Sequence, residues 1–180
     1  MKSIKKLYRI GNGPSSSHTM GPKKAATLFS EKYPNAKRYV VTLYGSLAAT
    51  GKGHLTDQAI LNVLEPIAPT TIEWLPSIFL PFHPNAMKFE AYDASDTLLE
   101  SQTIYSVGGG SLSDGEKTIG SSDNEGQTVY PMSTMTEVMR WCERTGKSYW
   151  EYVEECEGKE IWDYLEKVWE AMKDAVERGL

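Results

Sequence analysis

The sequence is poor in cysteine, has no long apolar run and carries no excess of basic residues. Cys142 and Cys156 are too few for a secreted disulfide scaffold and are not spaced as a Cys-x-x-Cys pair, so we expect a cytoplasmic protein with reduced thiols. No window approaches the roughly 18 apolar residues of a membrane span. The net charge of -5 argues against nucleic acid and anionic membrane surfaces as partners.

Short apolar segments rich in β-branched and aromatic residues indicate strands in the first part of the chain. The predicted strands cover residues 38–44, 70–75, 87–92 and 98–107, and the last two form a hairpin through Asp93–Asp96. Helical spacing predicts helices over residues 20–32 and 57–64, the second capped by Thr56 or Asp57. The predicted fold class is therefore α+β, with a mainly antiparallel sheet, packed helices and an all-helical C-terminal segment.

The remaining sequence is a polar stretch, Ser111–Gln127, followed by helical patterns. The polar stretch predicts a long loop. Two S/T-x-x-E capping boxes begin at Thr134 and Ser148, and a long amphipathic helix is predicted over residues 159–178. We expect an α+β domain over residues 1–128 and a helical segment over 129–180. Trp150, Trp162 and Trp169 of that segment either pack on the sheet or on each other, or they cover a missing domain.

The sequence contains three histidines, and each stands in a segment dense in glycine, proline or hydroxyl residues. The most informative segment surrounds His18, where Gly11, Gly13 and several hydroxyl residues precede a predicted helix. A helix N-terminus of this kind suits a carboxylate or phosphate, with the imidazole within reach. The alternative is that Ser17 or Thr19 merely caps the helix.

Two further segments carry the other histidines. The segment Gly45–His54 follows a strand and contains Gly-Lys, but five residues separate Gly45 from Gly51, so it is not a Walker A loop, whose spacing is four. It either binds an anion through Lys52 and His54 or only makes tight turns. The segment His83-Pro84-Asn85 either fixes an imidazole and an amide at an active-site wall or forms a turn only.

These segments together resemble a known family. The motifs Gly13–Pro22, Tyr44–Asp57, His83–Asn85 and Tyr105–Gly110 closely resemble, in order, the N-terminal or beta portion of the iron-sulfur-dependent L-serine dehydratases, also called L-serine ammonia-lyases. The resemblance implies a fold similar to the allosteric substrate-binding domain of some D-3-phosphoglycerate dehydrogenases. It also implies elimination of water from L-serine, with release of pyruvate and ammonia.

The resemblance further implies a [4Fe-4S] cluster that binds the substrate as a Lewis acid while a protein base removes the α-proton. His18 is the first choice for that base. The cluster cysteines of the family lie in a catalytic or alpha portion, and a complete enzyme is expected to be a homo-oligomer. The resemblance implies catalytic roles for His18, Thr19, His83 and Asn85 and substrate binding by Ser16 and Ser17.

A [4Fe-4S] cluster takes at least three thiolates, and this chain has two cysteines on predicted amphipathic helices. We therefore expect no metal ligand in this chain, a cluster bound by an absent domain or subunit, and no dehydratase activity from this chain alone. An alternative function remains open. The chain is then a regulatory module that binds an amino acid or another small anion and performs no chemistry.

Overall fold

The computed structural model describes residues 1–8, 11–120 and 128–180. These residues form two compact units, one made of residues 11–120 and the other of residues 1–8 with 128–180. Residues 1–8 group with the helical segment, whereas the sequence places them in the α+β domain. The predicted domain boundary at residue 128 stays a prediction. Within the described ranges, no helix has both the length and the apolar character to cross a bilayer.

A six-stranded sheet with the order β2-β1-β3-β4-β5-β6 forms the centre of the first unit. The pair β1 and β2 is parallel and the other neighbours are antiparallel, which confirms the predicted α+β class. The strands are β1 (Arg38–Tyr44), β2 (Thr70–Leu75), β3 (Ala86–Tyr92), β4 (Leu98–Gly108), β5 (Ser111–Ser113) and β6 (Thr118–Ile119).

The predicted hairpin of β3 and β4 is confirmed, and its inner face follows the alternation of β3. Met87, Phe89 and Ala91 are fully buried, while Lys88 and Glu90 between them are only half-buried. Side chains of a strand point alternately to its two faces, so one face of the sheet is apolar. Helices cover that face, and the shared core also contains Phe29, Leu43, Leu47, Ile60, Leu64, Ile104 and Leu112.

Three α-helices belong to this unit: α1 (Gly21–Lys32), α2 (Gly45–Thr50) and α3 (Thr56–Leu64). Both predicted helices are confirmed as α1 and α3. The prediction that Thr56 or Asp57 caps α3 is wrong: Leu55 precedes the helix with φ +54°, and no side chain caps it. Helix α2 was not predicted, because its glycine-rich sequence indicates a turn, but Leu47 and Ala48 are buried in the core and hold it as a helix.

The long loop predicted over Ser111–Gln127 is wrong in its first part. Strand β5 pairs with β4 and strand β6 pairs with β5. Pairing on a preformed sheet edge stabilises these short strands, and the buried Leu112 anchors them to the core. Residues 121–127 of the predicted loop lie outside the described residues.

The second unit is helical, with α4 (Met135–Thr145), α5 (Tyr149–Glu157) and α6 (Ile161–Gly179). Both predicted capping boxes are confirmed. The N-terminal residues are tied to α5, because the buried Glu157 accepts hydrogen bonds from the Ser3 hydroxyl at 2.7 Å and from the Ile4 amide at 2.8 Å.

Candidate active site

His18 lies in one turn of π-helix, Ser16–Met20, which continues directly into α1. Its Nδ1 is 3.0 Å from the Ser17 hydroxyl oxygen, and its Nε2 is 3.1 Å from the Ser46 hydroxyl oxygen. Both ring nitrogens therefore contact hydroxyl groups, which can donate or accept a hydrogen bond. The imidazole is held in place without a fixed tautomer.

Ser46 connects His18 to the segment that carries His83. Its amide donates a hydrogen bond to the Pro84 carbonyl at 3.0 Å, while its hydroxyl contacts His18. This approach depends on Gly45, which has φ +49° and whose missing Cβ would lie 2.7 Å from the Pro84 carbonyl oxygen. A side chain at this position would meet both backbone strain and a steric conflict.

Asn85 and the end of β4 form the next part of the same cluster. The Ser106 amide donates to the Asn85 carbonyl at 2.9 Å, and the Asn85 side-chain amide donates to the Ser106 carbonyl at 3.4 Å. Ser106 is fully buried and lies against the start of α1, where a Cβ on Gly21 would come within 2.4 Å of its hydroxyl oxygen. The loop before α1, the turn before β3 and the end of β4 therefore meet in one place.

His83 is half-buried and its ring is oriented by the backbone that follows it. The Asn85 amide donates to Nδ1 of His83 at 3.1 Å. A nitrogen that accepts a hydrogen bond carries no proton, so the neutral ring has its proton on Nε2. His83 is therefore arranged as a hydrogen-bond donor through Nε2.

His54 is the third histidine of the cluster, and its ring centroid lies 4.8 Å from that of His18. Its Nδ1 donates to the Thr50 carbonyl at 3.0 Å. Burial lowers the pKa of His18, and its electrostatic interaction with His54 lowers the pKa further. The His18 imidazole is consequently neutral near pH 7 and can accept a proton.

The remaining predicted site residues lie in the same turn as His18. Ser16 is exposed and Ser17 is half-buried against His18, whereas Thr19 is buried and its hydroxyl donates to the His54 carbonyl at 2.7 Å. Neither Ser17 nor Thr19 caps the helix, because the capping hydroxyl is that of Ser15, which accepts from the His18 amide. The structure thus brings the predicted residues of both loops into one cluster.

Sequence reasoning did not single out Ser46, Ser106 or Thr56 as site residues. Each acts through a contact between residues far apart in the chain; the Thr56 hydroxyl, for example, donates to the His18 carbonyl at 2.5 Å. The available signal for Ser46 and Thr56 was their position inside the motif Tyr44–Asp57, and for Ser106 its position in Tyr105–Gly110.

The cluster offers proton-transfer and polar groups, with nothing suited to hold a metal cluster. Over residues 1–8, 11–120 and 128–180, no group of three or more His, Cys, Asp or Glu side chains could hold a metal ion. Both cysteines are half-buried in the helical unit, and burial raises the pKa of Cys156, which disfavours the thiolate that a cluster needs. The described residues do not fit a [4Fe-4S] ligand set.

The fold and the site define an α+β domain that carries a cluster of histidine, hydroxyl and amide groups at one end of its central strands. The family model of the serine dehydratase beta chain matches residues 3–78 and 69–117, and the chain belongs to this family. It is 32% identical to L-serine dehydratase 1 of Escherichia coli, over 100% of this chain and 49% of that protein. L-serine dehydratase of Streptomyces coelicolor is 33% identical, over 99% and 50% respectively.

The chain spans about half the length of these relatives. The alignment to L-serine dehydratase 1 runs over 225 positions, which is longer than the 180 residues of this chain. The relative therefore has insertions within the matched region. All of this chain, including its C-terminal helices, has a counterpart in that relative.

Proposed function

We propose that this chain is the beta portion of an iron-sulfur-dependent L-serine ammonia-lyase, which eliminates water from L-serine and releases pyruvate and ammonia. Membership of the serine dehydratase beta chain family supports the reaction class. The observation that carries the assignment of the site is the bridge made by Ser46, whose hydroxyl contacts His18 and whose amide binds the carbonyl next to His83.

In this proposal His18 is the base that removes the α-proton of L-serine. The bond between the α-carbon and hydrogen breaks, its electron pair forms the double bond to the β-carbon, and the β-hydroxyl leaves as water after it gains a proton. The resulting enamine tautomerises to an imine, and hydrolysis of the imine gives pyruvate and ammonia. A neutral imidazole suits the first step, and burial together with the electrostatic effect of His54 lowers the pKa of His18.

The other residues have supporting roles toward the substrate. His83 donates a hydrogen bond from Nε2, and Asn85 supplies its side-chain amide beside it. Ser16 and Ser17 offer hydroxyl groups to the substrate at the helix N-terminus. The resemblance implies that Thr19 is an active-site residue. Its hydroxyl donates a hydrogen bond to the His54 carbonyl and so positions the segment of His54.

The [4Fe-4S] cluster of this proposal belongs to another domain or subunit, because the described residues do not fit its ligand set. The proposed partner is the cluster-bearing alpha portion, and the complete enzyme is a cytoplasmic homo-oligomer. The chain alone is then inactive, since it provides the base and the polar contacts and lacks the cluster.

The test is to mix this chain anaerobically with the half of E. coli L-serine dehydratase 1 that it does not match, and to assay pyruvate formed from L-serine. The variant His18→Gln keeps an amide group near Ser46 but has no basic nitrogen, so we expect turnover to fall at least 100-fold, in the range of general-base catalysis. His83→Ala removes the donor at Nε2, and we expect a smaller loss.

The matched control is Asp96→Asn, in the exposed turn at the other end of the β3–β4 hairpin. It is expected to keep turnover, because asparagine tolerates the positive φ of this position. If the wild type gives turnover and both histidine variants retain all of it, the assignment of the site is wrong. If no pyruvate forms with the wild type, the assignment of the reaction fails.

A regulatory module that binds an amino acid or small anion is the second candidate, and a cavity next to the turn of His18, lined in part by Thr19, favours it. This cavity of about 190 Å³ lies beside α1 and α3 and is lined in part by Asn12, Lys23, Gln58 and Asn62. The Lys23 ammonium donates to the Asn12 side-chain oxygen at 2.7 Å. This function would be supported if the isolated chain binds L-serine in calorimetry and no turnover is found. The binding should be lost in Lys23→Met and unchanged in His18→Gln.

A further inference from the structure

Helix α6 carries an apolar stripe that its own unit does not cover. Trp162, Leu165, Trp169, Met172 and Val176 follow one another at intervals of three and four residues, which places them on one side of a helix. Trp169 is 58% exposed, Met172 is 44% exposed and Val176 is 61% exposed. A contiguous apolar surface of this kind marks an interaction site.

The stripe borders the face that α6 uses within its own unit, and Leu165 between them is half-buried. Ile161 and Val168 are buried, and the Tyr164 hydroxyl donates to the carbonyls of Lys5 and Tyr8 at 2.9 and 2.8 Å. At 100° per residue these residues lie directly beside the stripe, because Ile161 and Val168 are each four positions before a stripe residue. The exposed part of the stripe therefore includes Trp169, Met172 and Val176, which the unit leaves in contact with solvent.

Trp150 on α5 widens the apolar surface at the start of the stripe. Its ring lies edge-on to that of Trp162, with centroids 6.0 Å apart, and the side chain remains 56% exposed. Part of the sequence prediction is met here, since two tryptophans contact each other. Their outer surfaces nevertheless remain in contact with solvent.

The side of the stripe away from the buried face is acidic. Helical spacing places Glu166, Glu170, Lys173 and Glu177 along this edge. Lys173 pairs with Glu170 at 2.7 Å, so two glutamates remain as excess negative charge. A partner that fits the surface has an apolar centre and a basic rim.

We propose that this stripe of α6 binds the cluster-bearing portion of the serine dehydratase, a proposal that rests on the function proposed above. The whole of this chain, α6 included, has a counterpart in L-serine dehydratase 1, yet it covers 49% of that protein. The relative therefore has a further half of its sequence available to cover this helix. An apolar stripe of four helical turns suits a permanent contact between two parts of one enzyme.

The experiment measures association directly, in the absence of L-serine. The unmatched half of E. coli L-serine dehydratase 1, prepared anaerobically, is titrated by calorimetry with this chain and with Trp169→Ser/Met172→Ser. We expect the double variant to weaken binding about 30-fold or more, as for the loss of a central aromatic anchor. The matched control is Lys167→Ser/Asp174→Ser on the charged face of the same helix, which should change the Kd less than about twofold.

Both double variants alter exposed positions, and circular dichroism checks that each remains folded. If the stripe variant binds as tightly as the wild type, or if the wild type does not bind at all, the surface proposal is overturned. It is also overturned if sedimentation shows a dimer of this chain that the stripe variant abolishes, because a second copy then covers the face. Binding that depends on the stripe but gives no pyruvate supports the surface and refutes the reaction.

Discussion

Replacing Gly45 with alanine tests whether the close approach between α2 and the His83 segment holds the candidate site together. Gly45 has φ +49°, and an added Cβ would lie 2.7 Å from the Pro84 carbonyl oxygen and 2.9 Å from the Phe79 ring. The carbonyl is part of the backbone, so it cannot move aside as a flexible side chain can. It also accepts the hydrogen bond from the Ser46 amide.

The magnitude follows from two contributions. A left-handed conformation costs an L-residue roughly 1–2 kcal/mol, and loss of the hydrogen bond from Ser46 to Pro84 costs about 0.5–1.5 kcal/mol. We therefore expect Gly45→Ala to lower the free energy of unfolding by about 1.5–3.5 kcal/mol. That is a large fraction of the roughly 5–15 kcal/mol that stabilises a typical domain.

The assay is urea unfolding followed by NMR of the histidine ring protons. All three histidines lie in residues 11–120, so their resonances report on the first unit alone, whatever the helical unit does. In native conditions the resonances of His18 and His83 should also shift in Gly45→Ala, because the contact through Ser46 is displaced. This shift links the change in stability to the site.

Gly53→Ala is the matched control on the same glycine-rich segment. Its nearest neighbour, the Thr50 carbonyl oxygen, would be 3.6 Å from the new Cβ, so we expect a change within about 0.5 kcal/mol. The reasoning is refuted if Gly45→Ala is no less stable than Gly53→Ala, or if the His18 and His83 resonances keep their wild-type positions.

Three further predictions concern charges and hydroxyl groups. His54→Gln removes a ring that lies 4.8 Å from that of His18 and whose electrostatic effect lowers the pKa of His18, so this pKa should rise toward its ordinary value in an NMR titration; an unchanged or lower pKa contradicts this. Thr56→Val leaves the His18 carbonyl without its donor and should cost about 1–3 kcal/mol of unfolding free energy by urea titration, against little change for the exposed Thr50→Val.

Burial raises the pKa of Glu157, but hydrogen bonds from Ser3 and Ile4 outweigh it and the net pKa is lowered. A carboxyl group whose pKa is lower in the folded than in the unfolded state stabilises the fold at a pH above its unfolded-state pKa. This stabilisation is lost as the pH falls through the folded-state pKa. Glu157→Gln should therefore cost most stability at pH 7 and progressively less in acid; a constant difference between pH 7 and pH 3 would show that the charge is not the cause.

The strands and helices that follow a local pattern could be predicted from the sequence. Met87, Phe89 and Ala91 alternate with polar residues, and this period of two indicates a strand whatever it pairs with. The strand β5 has no such pattern, because it forms only on the edge that β4 provides. Local composition does not contain that information.

Some residues of the candidate site could likewise be predicted from the sequence, and others could not. His18, His83 and Asn85 could be named because they stand in unusual segments. The role of Ser46 could not, because its hydroxyl meets a histidine 28 positions earlier in the chain and its own segment indicates a turn. Contacts of this separation depend on the register of the sheet.

The register of the sheet explains why the site forms at one place. Leu43 near the end of β1 pairs with Met87 near the start of β3, and Ala86 pairs with Tyr105 of β4. Antiparallel pairing therefore places the residues just beyond these positions, Ser46 and Asn85 among them, at the same end of the central strands. A slip of one residue would reverse which face each side chain of β3 occupies and expose Phe89, so the same burial that stabilises the sheet also fixes the distances between the histidine segments.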